Sequence, residues 1–166
     1  MTAPRAVLVG PPGAGKTTIG RLLAERLGVG FRDTDQDIEA AEGKTIAEIF
    51  FDDGEERFRE LEREAVALAL TEFDGVLSLG GGAVLSEQTR ALLGPHRVVF
   101  LNVGLAAAAK RVGLARDRPV LALNPRASLH QLLEKRLPLY REVADIEVAT
   151  DDTPPDEVTT GLLRHL

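Results

Sequence analysis

The sequence predicts an α/β fold in which helices cover both faces of a parallel sheet. Short and almost wholly apolar runs recur along the 166 residues, which is typical of strands buried on both faces. Longer segments with apolar residues at helical spacing separate these runs, as in sheets built with helical crossovers. A glycine-rich loop follows the first run, at an edge where such sheets bind ligands. Because no repeat or linker interrupts the pattern, we expect one domain over residues 1–166.

The elements follow one another in a simple alternation, with β-favouring residues in the strands. The predicted strands are Arg5–Val9, Val29–Asp33, Val76–Leu79, Arg97–Val103 and Ile146–Ala149. The predicted helices are Lys16–Leu27, Gly54–Glu72, Ser86–Leu93, Leu105–Ala115, Ser128–Val143 and Pro155–Leu166. Residues 35–72 contain no strand-like run and predict a helical insertion. Gly113–Ala127 carries prolines and arginines without periodicity and predicts a mobile loop.

The composition limits the possible partners and the compartment. The chain has no cysteine, which excludes a disulfide framework, a thiolate metal site and a cysteine nucleophile. The net charge is −6 and lysine and arginine are not clustered, so nucleic acid is not an expected partner. No apolar run has membrane-spanning length, and the N-terminus shows no secretion signal. We expect a cytoplasmic monomer that binds neither nucleic acid nor a membrane.

The segment Gly10–Thr17 matches the pattern G-x-x-x-x-G-K-[ST] between the first strand and the first helix. Its glycines let backbone N–H groups approach a phosphate, Lys16 adds positive charge, and the Thr17 hydroxyl suits magnesium. A chance glycine-rich turn is the alternative, but the flanking strand and helix are the context that the motif requires. No Asn-Lys-x-Asp sequence is present, which argues against a guanine-specific switch protein. The predicted ATP site contains Gly13, Ala14, Gly15, Lys16, Thr17 and Thr18.

Two carboxylates, Asp33 and Asp35, lie at the end of the second predicted strand. The third strand has Ser78 where an acid that supports the metal is expected, so another carboxylate must serve it. Ligands collect at the carboxyl ends of parallel strands, and residues at this spacing can face the same side of an extended segment. One acid would support magnesium and the other would meet an acceptor hydroxyl. The alternative is that Asp35 only caps the following helix.

Two further features concern the acceptor. Arg59 and Glu62 lie one helical turn apart, and by themselves they predict a solvent-exposed pair that contributes roughly a few tenths of a kcal/mol. Gly80, Gly81 and Gly82 end the third predicted strand. Successive glycines are costly unless the backbone turns unusually or touches a ligand.

Together these motifs resemble the shikimate kinase family along nearly the whole chain. The matching residues are Gly10–Thr18, Asp33–Asp35, Phe50, Gly54, Glu55, Phe58, Arg59, Glu62, Leu79–Ala83, Arg118-Pro119 and Arg136–Tyr140. The resemblance implies a three-layer P-loop fold with a five-stranded parallel sheet, a helical substrate-binding region at residues 34–72 and a lid at residues 113–127. It also implies ATP-dependent phosphorylation of the 3-hydroxyl of shikimate, a step of chorismate and aromatic amino acid biosynthesis.

The resemblance assigns roles to individual residues. It implies that Asp35, Lys16 and Arg118 are catalytic, that Arg111 and Arg118 extend the ATP site, and that Thr17 and Asp33 serve Mg²⁺. Arginines from separate segments suit a planar carboxylate, because each guanidinium presents a fork of donors. The implied substrate-binding residues are Asp35, Phe50, Phe58, Arg59, Gly80, Gly81, Gly82 and Arg136.

Other functions stay open on the sequence alone. A kinase for gluconate or another small metabolite would share the phosphate loop and the acid, but not the set formed by Arg59, the glycine run and Arg136. A nucleoside monophosphate kinase would need more arginines around its acceptor. A regulatory module without turnover would have no reason to keep Arg118. The segment 151–155, Asp-Asp-Thr-Pro-Pro, lacks the basic residue that family members often place against adenine.

Overall fold

The computed structural model describes residues 2–112 and 125–166. In this part of the chain, five strands form one sheet in which every pair of neighbours is parallel. The strands are β1 (Ala6–Val9), β2 (Phe31–Asp33), β3 (Val76–Ser78), β4 (Val98–Asn102) and β5 (Ile146–Ala149), in the spatial order β2-β3-β1-β4-β5. The predicted α/β class and parallel sheet are confirmed.

Helices connect the strands on both sides of the sheet. They are α1 (Lys16–Leu27), α2 (Thr34–Glu42), α3 (Ile46–Glu72), a 3₁₀ turn (Ala83–Leu85), α4 (Glu87–Leu93), α5 (Leu105–Val112), α6 (Pro125–Val143) and α7 (Pro155–Leu163). Helix α1 and strand β5 have their predicted bounds, whereas β1 to β4 are shorter than predicted. The predicted lid falls mainly on residues 113–124, outside the described residues, but its last residues, 125–127, begin α6. Among the described residues, no helix is long and apolar enough to cross a membrane.

Side chains alternate along β1 between two apolar cores, as the pleat of a strand requires. Ala6 and Leu8 join the core formed with α1 and α7. Val7 and Val9 join the core formed with α3 and α4 on the other face. The near-continuous apolar run therefore has a direct cause, because both faces of the central strand are covered by helices.

Residues 35–72 are almost entirely helical, in α2 and α3, so the predicted helical insertion is confirmed. Helix α3 extends N-terminal to the predicted helix Gly54–Glu72. Its start is fixed by a capping box, in which the Thr45 hydroxyl accepts from the Glu48 N–H and the Glu48 carboxylate accepts from the Thr45 N–H. Gly54 interrupts the helix with φ 87°, a left-handed value that favours glycine. The kink lets Phe50 and Phe58 meet with ring centroids 4.9 Å apart, although eight residues of straight helix would rise about 12 Å.

Candidate active site

The loop between β1 and α1 forms one wall of a cavity of about 220 Å³, here named the phosphate cavity. Gly15 precedes α1 with φ 93°, so the chain turns sharply and α1 begins at Lys16. The first N–H groups of a helix have no partner within it, and they carry partial positive charge toward an anion. The cavity lining contains Pro12, Gly13, Ala14, Gly15, Lys16, Thr17, Thr18, Asp33, Asp35, Leu79, Gly80 and Gly81.

The Lys16 side chain arches back over the phosphate loop. Its Nζ donates to the carbonyl oxygen of Gly10 at 2.6 Å and to that of Pro11 at 3.1 Å. The ammonium group is therefore held at the loop by neutral acceptors. An anionic phosphate oxygen is a stronger acceptor than a carbonyl oxygen, so the same group is placed to bind the phosphates of a nucleotide.

The acids after β2 reach the phosphate cavity across an intervening strand. Strand β3 separates β2 from β1, and Asp33 and Asp35 nevertheless line the phosphate cavity together with the phosphate loop. Asp33 Oδ1 accepts from the Asp35 N–H at 2.8 Å and thereby caps α2. The capping role belongs to Asp33, and the alternative role for Asp35 as the cap is wrong. Burial raises the pKa of Asp33, although its hydrogen bond from the Asp35 amide and the charge of Lys16 oppose the increase.

The glycine run that ends β3 makes room for side chains from three other elements. A Cβ at Gly80 would lie 2.5 Å from Asp35 Oδ1 and 2.9 Å from Glu62 Oε2. A Cβ at Gly82 would overlap the guanidinium group of Arg59. Because the glycines have no side chains, the phosphate loop, the acid on α2 and the charged groups on α3 can approach one another at the carboxyl edge of the sheet.

Arg59 and Glu62 form a largely buried ion pair, so the predicted solvent-exposed pair is wrong. Arg59 Nη1 donates to Glu62 Oε1 at 2.8 Å, and Glu62 is only 3% exposed. Arg136 on α6 is also buried, and its charge acts on Glu62 together with that of Arg59. Burial raises the pKa of Glu62 above its usual range, while Arg59, Arg136 and Arg63 oppose the increase. The burial of Glu62 could not be read from the helix pattern alone.

The two phenylalanines predicted to line the acceptor pocket lie beneath this charged pair. Phe58 is buried in a cluster with Ile38, and Phe50 packs against the same cluster. The Arg59 guanidinium carbon lies 5.2 Å from the centre of the Phe58 ring. Neither ring lines the phosphate cavity as defined above. Phe58 supports the position of Arg59, and Phe50 packs against Phe58.

Arg111 fastens the phosphate loop to the loop after β5. Its guanidinium donates to the carbonyl oxygens of Gly13 at 3.0 Å and of Thr150 at 2.6 Å. The buried Thr150 hydroxyl accepts from Arg111 at 3.2 Å and donates to the carbonyl oxygen of Ala14 at 3.0 Å. Asp151 accepts from the backbone of the loop after β4. Asp151, the first residue of the acidic segment that departs from the family pattern, thus joins the loop after β5 to the loop after β4.

Sequence reasoning assigned no role to Tyr140, and its hydroxyl donates to the Gly81 carbonyl oxygen at 2.6 Å. A signal was present, because Tyr140 follows Arg136 by one helical turn and shares its face of α6.

Arg118 lies outside the described residues.

The residues expected to hold magnesium fit that ion. Thr17 and Asp33 both line the phosphate cavity, and they offer the oxygen donors that Mg²⁺ prefers. Across residues 2–112 and 125–166, no group of three or more acidic, histidine or cysteine side chains could hold a metal by itself. Magnesium is commonly bound by one or two protein oxygens together with substrate phosphates and water.

Comparisons with known proteins identify the family of this chain. A family model described as shikimate kinase matches residues 12–166. The shikimate kinase of Saccharopolyspora erythraea is 62% identical over 165 residues, which cover 99% of this chain and 94% of that protein. The shikimate kinase of Streptomyces coelicolor is 57% identical over 163 residues, covering 98% and 95% respectively. A solved shikimate kinase from Acinetobacter baumannii in complex with shikimate is 37% identical, with a TM-score of 0.93 over 99% of this chain and 93% of that one. The chain therefore belongs to the shikimate kinase family.

Proposed function

We propose that this protein transfers the γ-phosphoryl group of ATP to the 3-hydroxyl of shikimate. The observation that carries the proposal is the meeting of three groups at the glycine run. Gly81 adjoins Pro12 of the phosphate loop and Arg136, and Gly80 adjoins Asp35. Arg59 reaches Gly82. A phosphate donor would thus lie beside an acceptor that carries both a carboxylate and hydroxyl groups. The relative from Acinetobacter baumannii, described as a complex with shikimate, supports the same acceptor.

Phosphoryl transfer asks a protein mainly for alignment and charge neutralisation. The acceptor hydroxyl attacks the γ-phosphorus, so an O–P bond forms while the bond from that phosphorus to the ADP oxygen breaks. Asp35 orients the hydroxyl and takes its proton. Lys16 balances the charge of the phosphates, and the family resemblance assigns Arg118 to the same task. Thr17 and Asp33 are the residues that would hold Mg²⁺, which when bound supplies further positive charge to the phosphates.

The acceptor carboxylate is assigned to Arg59 and Arg136. These guanidinium groups come from α3 and α6 and share the negative charge of Glu62. Each presents planar donors that suit a carboxylate. We assign acceptor binding mainly to the helical region of residues 34–72, within one domain that spans residues 1–166. The lack of cysteine is compatible with a reducing compartment, and we propose that the protein acts in the cytoplasm as a monomer.

Two alternatives receive less support. A gluconate-type kinase would share the phosphate loop, but the relatives compared above are shikimate kinases. A nucleotide-binding regulatory module would not need a buried guanidinium pair beside the phosphate cavity. The combination of a donor site with an acceptor site favours an enzyme.

The test measures ADP release with ATP, Mg²⁺ and, in turn, shikimate, gluconate and nucleoside monophosphates. Shikimate should give the fastest turnover, and Asp35→Asn should lower kcat by about 10²-fold or more. Asp37→Asn is the matched control, because Asp37 lies on the same helix but pairs with Arg32 outside the phosphate cavity. Turnover with another acceptor alone would overturn the proposed substrate, and full activity in Asp35→Asn would overturn the role of Asp35.

A further inference from the structure

Tyr140 connects α6 to the glycine run in the middle of the candidate active site. The side chain is 1% exposed, and its ring stacks on Phe100 of β4 with centroids 4.9 Å apart. The hydroxyl donates to the Gly81 carbonyl oxygen at 2.6 Å. The buried ring is therefore fixed by the sheet, while its single polar atom meets the loop that faces the acceptor.

The same hydroxyl also interacts with Arg136. The Arg136 guanidinium lies beside the same loop, since a Cβ at Gly81 would come within 3.4 Å of its Nη1, and the charges of Arg136 and Arg59 act on the phenol. Burial is the larger influence and raises the pKa of Tyr140 to about 12. The phenol therefore keeps its proton at neutral pH and donates it to the Gly81 carbonyl oxygen, while its oxygen lies in the field of the Arg136 guanidinium.

The bond to Gly81 also controls the direction of the next N–H. The Gly81 carbonyl and the Gly82 N–H belong to one planar trans peptide group, so they point in opposite directions. Holding the carbonyl against Tyr140 directs the Gly82 N–H away from α6. A glycine pair has little rotational restriction of its own, so an outside partner is needed to keep this orientation.

We propose that Tyr140 is a positioning residue, which holds the Arg136 guanidinium and the Gly81–Gly82 peptide in the arrangement that receives the carboxylate of the acceptor. This inference rests on the proposed function, because it takes the carboxylate of shikimate as the group that is bound. Tyr140 acts through Arg136 and the glycine run and has no chemical role in the transfer.

The principal variant is Tyr140→Phe, which keeps the ring and its stacking on Phe100. We expect the KM for shikimate to rise about tenfold, as for the loss of one hydrogen-bonding group at a charged site. The KM for ATP and kcat should stay within about threefold of their original values. An unchanged KM for shikimate would overturn the proposal.

A matched control separates positioning from stability. Thr159 is also buried, and its hydroxyl donates to the Pro155 carbonyl oxygen at 2.8 Å within α7. Thr159→Val therefore removes the same kind of bond at a place that does not contact the glycine run. Both variants should lower the melting temperature, but only Tyr140→Phe should raise the KM for shikimate. Equal KM values in the two variants would show a purely structural role.

The substrate side of the interaction gives a second readout. The original protein should turn over shikimate much faster than its methyl ester at limiting concentration, and Tyr140→Phe should reduce this preference. If the original protein does not use shikimate, the proposed function fails. If it does, and Tyr140→Phe keeps the full preference for the acid, only the role of Tyr140 fails.

A third measurement does not depend on a variant that must fold. The chain contains a single tyrosine, so growth with 3-fluorotyrosine labels this position alone. The ¹⁹F resonance should move on titration with shikimate, with a dissociation constant that matches the one from activity, and should move less with the methyl ester. A resonance that does not respond to shikimate would overturn the proposal.

Discussion

The carboxylate of Glu62 accepts a 2.8 Å hydrogen bond from Arg59 in a position where Glu62 is only 3% exposed. An exposed pair at this spacing would contribute little, because water screens both charges. In a buried ion pair, removal of one partner is strongly destabilising, because the remaining charge stays buried without an opposite charge beside it. Arg136 lies within reach of the same negative charge. One carboxylate thus influences both guanidinium groups assigned to the acceptor, and four predictions concern this site and its supports.

Glu62→Gln should raise the KM for shikimate by about tenfold or more, because hydrogen bonds to charged groups contribute roughly 1.5–3 kcal/mol. The KM for ATP should change little. Glu55→Gln is the control, since Glu55 is the exposed second partner of Arg59 at 3.4 Å. Steady-state kinetics with each substrate varied in turn would measure both KM values. An equal rise of the KM for shikimate in the two variants would contradict the role assigned to Glu62.

The acid limb of the pH profile should also depend on Glu62. Burial raises its pKa, so on lowering the pH Glu62 gains a proton above the pH at which glutamate usually does. Protonation removes the negative charge that faces Arg59, Arg136 and Arg63, near Asp35 and Tyr140. The kcat/KM for shikimate should therefore fall with decreasing pH in the original protein and in Glu55→Gln. A profile of Glu62→Gln with the same acid limb would show that another group is responsible.

Gly82→Ala should damage acceptor binding while leaving the fold intact. Gly82 has φ −97°, which alanine accepts, but the added methyl group would overlap the Arg59 guanidinium. We expect the KM for shikimate to rise roughly tenfold, with little change in melting temperature. Gly161→Ala in α7 is the control, because a Cβ there meets no atom within 4 Å. That variant should gain roughly 0.5–1 kcal/mol in free energy of unfolding with unchanged kinetics. Normal shikimate kinetics in Gly82→Ala would contradict the crowding argument.

Thr150→Val should affect the nucleotide rather than the acceptor. Valine has nearly the shape of threonine, but it loses the hydroxyl that binds Ala14 and Arg111. The phosphate loop then loses part of its support, so the KM for ATP should rise several-fold while the KM for shikimate stays near its original value. Thr71→Val removes an exposed hydroxyl on α3 and should change neither constant. An effect confined to shikimate would place Thr150 in another role.

The class of the fold and most of the elements were predictable, because they depend on local patterns. Helix α1 has its predicted bounds, since the glycine-rich loop and Gly28 mark its ends in the sequence. The prediction that residues 35–72 are helical is confirmed by α2 and α3, but the boundary between these two helices was not predicted. The capping box formed by Thr45 and Glu48 was visible in the sequence and would have placed the start of α3 correctly.

The order of the strands was not predictable from the chain alone. Asp33 pairs in register with Ser78, and Ser78 pairs with Leu8, so β3 lies between the acid and the phosphate loop. A sequence shows which segments are strands, but neighbouring positions in a sheet depend on how the helical crossovers pack. The glycines after Ser78 carry no side chains, so the space between Asp35 and the phosphate loop is not filled.

By itself the sequence determined the phosphate loop, the alternating α/β pattern and the set of residues that resembles shikimate kinases, because these features lie in short contiguous segments. Only the tertiary structure decided that Glu62 is buried, that Tyr140 holds Gly81 and that Thr150 holds Ala14. The last two contacts join residues 59 and 136 positions apart in the chain. Burial and contacts across such separations depend on the packing of whole helices on the sheet, which no local pattern specifies.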